Sequence, residues 1–221
     1  METKIYSPKK KELLALLTLC SCQIYHQLHY SITVNNSEIL RDFSKKPLVL
    51  LPKHQAITDL LLEGYLVLRN TGKCPYAPMK DSLPQILEYI GGIPIKRLKD
   101  IKSTTNREER KKLIQEAQEQ KEFLEQAYTF HLSRNEPLIV HPEGERNYRR
   151  VGKINPSSLI LLLNAQEKLS EQINFVPLDI FYEDIKRFRS KIVLKFGKPI
   201  QTSDLNVLVE HIIQEVRLLE R

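Results

Sequence analysis

Apolar positions along this chain fall into two rhythms. In Pro47–His54 (PLVLLPKH), residues 173–182 (INFVPLDIFY) and residues 191–200 (KIVLKFGKPI) they form short, β-branched or leucine-rich runs bounded by polar residues, which predicts strands. Elsewhere they recur every three to four residues, which predicts helices. A helix is expected from about residue 57 to 69. A long amphipathic one spans residues 107–132, with Leu113, Ile114, Ala117, Leu124 and Ala127 on one face. Others are expected over residues 82–90, 157–169 and 204–219, the last capped by Ser203. Shorter strand signals lie near residues 76–80, in GGIPIKR (91–97) after a two-glycine turn, and in EPLIVHPEG (136–144), where a strand gives way to a loop.

Strands separated by helices predict an α/β fold, an αβα sandwich around a mixed, mostly parallel sheet, with the last two strands antiparallel. Pro177, inside an otherwise buried strand, points to a sheet edge or to an approach of the backbone to substrate. Three lysines, Lys9–Lys11, precede the leucine-rich stretch 12–28. That stretch fits a signal peptide only in part, since no small-residue cleavage site follows it. It fits equally a helix lying in a membrane interface or one packed on the protein's own core. The expected division is an N-terminal amphipathic region, residues 1–35, and a catalytic-sized α/β domain, residues 36–221.

Composition narrows the partners. With 34 Lys and Arg against 27 Asp and Glu, the net charge is +7, which favours anionic partners: nucleic acid, phosphorylated molecules or an acidic membrane surface. No aromatic-and-basic signature of single-strand recognition is present and there is no Trp, so nucleic acid is not the expected partner. Three cysteines without a second metal-ligand pair suit neither a disulfide framework nor a zinc site. A reduced, cytoplasmic setting without metal or cofactor is the expectation.

The candidate chemistry sits where predicted strands end. His54 and Asp59 straddle the passage from a strand to a helix, where a carboxylate can accept the imidazole N–H, fix the tautomer and make the other nitrogen a base. The same residues also fit a histidine that only closes a turn. No nucleophile stands in a recognisable setting, so the group to be deprotonated belongs to a substrate. Arg97 ends the GGIPIKR strand with a planar fork of donors suited to phosphate, and HPEGERN brings Glu143, Gly144 and Arg146 to a strand-end loop.

Taken in order, His-x4-Asp (54–59), Gly-x-Ile-x-Ile-x-Arg (91–97), Pro-Glu-Gly-x-Arg (142–146) and Val176-Pro177 resemble the glycerolipid acyltransferases that include 1-acyl-sn-glycerol-3-phosphate acyltransferase. The resemblance spans residues 47–180. It implies that His54 takes the proton of a lipid hydroxyl as that oxygen attacks an acyl thioester, with Asp59 holding the imidazole. It further implies that Arg97 and Arg146 grip the acceptor phosphate and that Glu143 and Gly144 shape the site. The implied donor is acyl-CoA or acyl-carrier protein. The implied acceptor is a lysophospholipid, 1-acyl-sn-glycerol-3-phosphate first, at the cytoplasmic face of an anionic membrane on which the enzyme is peripheral. A different lipid hydroxyl, or a non-catalytic anionic-lipid-binding module on the same scaffold, are the alternatives. Three features depart from the family pattern: Glu145 replaces a small residue such as Thr, the segment between Lys80 and Gly91 is short, and His141 stands before Pro142 where a hydrophobic or aromatic residue is commoner.

Overall fold

The computed structural model describes residues 12–53, 59–80, 88, 90–95, 106–143, 154–184 and 187–219. In chain order these form α1 (Glu12–His29), β1 (Tyr30–Asn35), a 3-10 helix (Ser37–Phe43), β2 (Leu48–Pro52), α2 (Asp59–Thr71), β3 (Ala77–Lys80), β4 (Gly92–Ile95), α3 (Arg107–Ser133), β5 (Leu138–Ile139), α4 (Pro156–Gln166), β6 (Asn174–Tyr182), β7 (Ser190–Phe196) and α5 (Leu205–Leu219). The helix expected over 82–90 lies almost wholly outside the described residues.

Five strands form one sheet in the order β1-β7-β6-β2-β5. β5, β2 and β6 run parallel, β7 is antiparallel to β6, and β1 is parallel to β7. β3 and β4 form a parallel pair, joined to β5 through the bridge between Tyr76 and Leu138. This is the mixed, mostly parallel α/β sandwich expected. β1 pairs with β7 along all six of its residues, so the sheet already begins at Tyr30, inside the segment assigned to the N-terminal region.

β2 shows why the sheet needs two layers of helix. Its five residues are all buried, and they alternate between two cores. Val49 and Leu51 join Leu124, Tyr128 and Leu132 of α3, Leu159 and Leu162 of α4, and Leu208 and Ile212 of α5; Leu48 and Leu50 join Leu62 and Leu66 of α2 on the other side. A strand apolar on both faces is stable only when both are covered. Asn155 caps α4 by accepting from the Ser157 N–H, and Pro156 follows at the first helical position, where its missing donor costs nothing. The cap of α5 is Asp204, whose Oδ1 accepts from Asn206 and Val207, rather than the expected Ser203. Ser203 instead bonds Gln166.

Two further expectations need correction. Ile114, placed on the inner face of α3, is 52% exposed; the burial of α3 begins at Leu124, and its first half extends into solvent on charged side chains. Pro177 lies in β6, an inner strand, not at an edge. It is tolerated there because its nitrogen faces β7 where that strand leaves the ladder. Pairing runs to Leu178–Phe196 and resumes only at Phe175–Ile200, while the Pro177 carbonyl accepts from Gly197. The inner stripe of α1 is Ala15, Leu19, Gln23 and His26, whereas Leu17, Ile24 and Leu28 are 57%, 59% and 63% exposed. The more apolar face of α1 thus points outward. No helix among the described residues is long and apolar enough to cross a membrane.

Gly91 makes the turn before β4. Its φ of +108° is left-handed territory, and a Cβ there would stand 2.4 Å from the Pro75 carbonyl oxygen. Only glycine fits such a turn, which sets Ile93 into the core beside α3.

Candidate active site

Of the six expected site residues, Asp59 and Glu143 are described; His54, Arg97, Gly144 and Arg146, like Glu145, lie outside the described residues. What surrounds the two is a buried polar layer at the carboxyl ends of the parallel strands, where α/β sheets place their ligands.

β2 hands over to Lys53, whose N–H continues the ladder by donating to the Leu178 carbonyl at 2.9 Å. Its ammonium is buried and lies 3.9 Å from Asp179 Oδ1 on β6. Asp59 opens α2 with no exposed surface. The Tyr182 hydroxyl, at the end of β6, donates to Asp59 Oδ1 at 2.6 Å. The Tyr182 ring is itself held edge-on by Tyr30 of β1, with centroids 6.0 Å apart.

Glu63 follows Asp59 by one helical turn and is likewise fully buried. It faces His141, which leaves the sheet two residues beyond β5. The His141 Nε2 is 3.3 Å from Glu63 Oε1 and 3.2 Å from Oε2, so that nitrogen carries the proton and donates. Burial alone would lower the His141 pKa. The charge and hydrogen bond of Glu63, with the charges of Asp59 and Glu143 behind it, outweigh burial and hold the imidazole above the ordinary histidine value. Glu143, two residues on, is 8% exposed. His141, just ahead of the Pro-Glu-Gly-x-Arg motif, is therefore tied to α2 by a hydrogen bond that the motif does not contain.

Tyr182 and Glu63 were not among the residues singled out from the sequence. Glu63 left a readable trace, a carboxylate four residues after Asp59 on the leucine-rich face of α2. Tyr182 left none, because 123 positions separate it from Asp59 and only the β6–β2 register brings the two together.

A small, open apolar depression lies between α1, α2 and β3–β4, lined among others by Leu19, Leu60, Leu61, Met79 and Ile90. Leu60 and Leu61 follow Asp59 directly, so the depression adjoins the polar layer through α2.

Comparison with known proteins adds the following. A family described as Acyltransferase matches residues 31–180. No curated protein matches the chain. Among solved structures the chain is similar to the 1-acyl-sn-glycerophosphate (LPA) acyltransferase PlsC of Thermotoga maritima, with a TM-score of 0.57 and 17% sequence identity over 93% of this chain and 82% of that one. At that identity the likeness is one of fold.

Proposed function

Since this chain belongs to the acyltransferase family, we propose that it moves a fatty acyl group from a thioester, acyl-CoA or acyl-carrier protein, to the hydroxyl of a lysophospholipid. 1-Acyl-sn-glycerol-3-phosphate is the first choice, giving phosphatidic acid. The observation that carries the reading is Asp59: a carboxylate sealed from water at the head of a helix, gripped by a tyrosine hydroxyl, five residues after a histidine.

The chemistry follows from the groups. An alcohol attacks a thioester slowly until a base takes its proton, an effect worth about 10² to 10⁴ in rate. His54 is that base. The alkoxide oxygen adds to the thioester carbonyl, and the resulting oxyanion collapses by breaking the C–S bond. The proton held by the imidazolium then passes to the leaving thiolate, so acid and base are restored. Asp59 fixes the tautomer and offsets the imidazolium charge. Arg97 and Arg146 hold the acceptor phosphate, with Glu143 and Gly144 shaping the loop beside it. The apolar depression beside Leu60 and Leu61 offers the acyl chain an apolar surface next to α2.

The outward face of α1 supports a peripheral attachment. Leu17, Ile24 and Leu28 project from the helix, with Lys9–Lys11 just before it in the chain and a net charge of +7 overall. Such a helix lies in the interface of an anionic cytoplasmic leaflet, where both acceptor and product reside. Glu145 favours a second acceptor class, lysolipids whose headgroup carries a cation as well as a phosphate, because an acid beside a dianionic phosphate is repulsive.

Purified protein incubated with vesicles, a labelled acyl thioester and a panel of lysolipids tests both readings. Label transferred to lysophosphatidic acid supports the first, and preference for a zwitterionic lysolipid that Glu145→Thr reverses supports the second. Consumption of thioester without any acylated lipid contradicts both.

A further inference from the structure

Three carboxylates converge where β5 and α2 meet. Asp59 and Glu63 are fully buried and Glu143 is 8% exposed. Anions stripped of water and placed together lose hydration and repel one another, so such a set is stable only where cations and donors face it. Tyr182 supplies one donor, to Asp59 Oδ1. Lys53 stands at the end of β2 with Asp179 of β6 as its own counter-ion at 3.9 Å. Among the described residues His141 also turns towards them, with Nε2 at 3.2 and 3.3 Å from the two oxygens of Glu63 and within reach of the charges of Asp59 and Glu143.

We propose that His141 is carried as an imidazolium and is the counter-charge of the Asp59–Glu63–Glu143 set, a positioning residue that acts on the reacting histidine through Asp59. This rests on the reading of Asp59 as the orienter of His54. Among the described residues the charged groups that act on the ring are Asp59 and Glu63 from α2, and Glu143 two residues on. The phenol of Tyr182 and the Lys53–Asp179 pair occupy the adjoining ends of β6 and β2. A hydrophobic residue at 141 would take the imidazole away from the buried Glu63 carboxylate, so positions 63 and 141 form one unit. The raised proton affinity that the surrounding carboxylates impose on the ring agrees with this.

The direct test is a nitrogen-15 NMR titration of the histidines in the full-length protein, with the His141 signal assigned by its loss in His141→Gln. The ring is expected to be doubly protonated at pH 7 and to lose its proton at lower pH in Glu63→Gln. A singly protonated His141 at pH 7 overturns the proposal.

In acyl transfer, His141→Phe is expected to displace the acidic limb of kcat/KM to higher pH, with about a tenfold loss at pH 6 for each unit of displacement. KM for the thioester stays where it was. Glu63→Leu combined with His141→Phe removes both charges and brings the limb back, an outcome that mere loss of packing does not produce. A folded His141→Phe protein with an unmoved limb contradicts the proposal. If that variant does not fold, the wild-type and Glu63→Gln titrations decide. Failure of the catalytic reading itself shows elsewhere, as acyl transfer that survives His54→Ala, which leaves the His141 titration untouched.

Discussion

Replacing Tyr182 by Phe removes one atom from the candidate site and nearly nothing else. The ring that packs edge-on against Tyr30 and sits in the α2-side core is kept, so no large cavity opens. What goes is a hydroxyl donating at 2.6 Å to a carboxylate without exposed surface. Hydrogen bonds to charged groups contribute about 1.5 to 3 kcal/mol, and a buried acceptor cannot turn to water instead. A loss of about 2 kcal/mol follows, which lowers Tm by about 4 to 8 °C in a domain of this size. Urea unfolding at pH 7 checks it, with the slope against denaturant unchanged because the exposed area is the same. In acyl transfer, kcat falls while KM for both substrates holds, since only the orientation of the base is loosened. A loss below about 0.5 kcal/mol would refute the reasoning, because it would mean that the Tyr182–Asp59 bond is dispensable to the buried carboxylate.

Two further outcomes follow. Because the folded protein raises the His141 pKa, folding takes up a proton there: the stabilisation is fully present below the ordinary value of 6.5 and is lost as pH rises through the higher folded value. Urea midpoints stepped through that window decline with pH, and the decline flattens in His141→Phe. Changing Leu17, Ile24 and Leu28 together to Ser removes the projecting face of α1 without touching its buried stripe of Ala15, Leu19, Gln23 and His26. Sedimentation with anionic vesicles is expected to fall at least tenfold with the circular dichroism spectrum unchanged; unaltered sedimentation places the membrane contact elsewhere.

The layers of this fold were legible wherever burial is two-sided or one-sided in a simple way. β2 reads as a strand because Val49 and Leu51 must satisfy one core and Leu48 and Leu50 the other. α3 misled at Ile114, because helical periodicity records which residues share a face but not how far along the helix its partner extends. For α1 the apolar stretch left membrane contact and core packing both open, and periodicity does not tell that a stripe with Gln23 and His26 is the inner one. Pro177 reads as an edge signal because a missing donor ordinarily breaks a ladder, and only the departure of β7 after Phe196 makes the inner position harmless.

Within the site, Asp59 and Glu143 were picked out from their motifs, and both lie buried at the strand ends. The roles expected of His54, Arg97, Gly144 and Arg146 fall on residues outside those described. The Glu63–His141 pair and the hold of Tyr182 on Asp59 are long-range facts of the sheet, joining positions 78 and 123 residues apart. Short spacings carry no trace of such pairs.

The account turns on whether a histidine steered by Asp59 removes a proton from a lipid alcohol. Acyl transfer from a labelled thioester to lysophosphatidic acid on vesicles, compared between the wild type and His54→Ala, tests that directly. A fall of about 10² to 10⁴ in kcat with vesicle binding intact is the predicted result. Transfer by His54→Ala at the wild-type rate would contradict it.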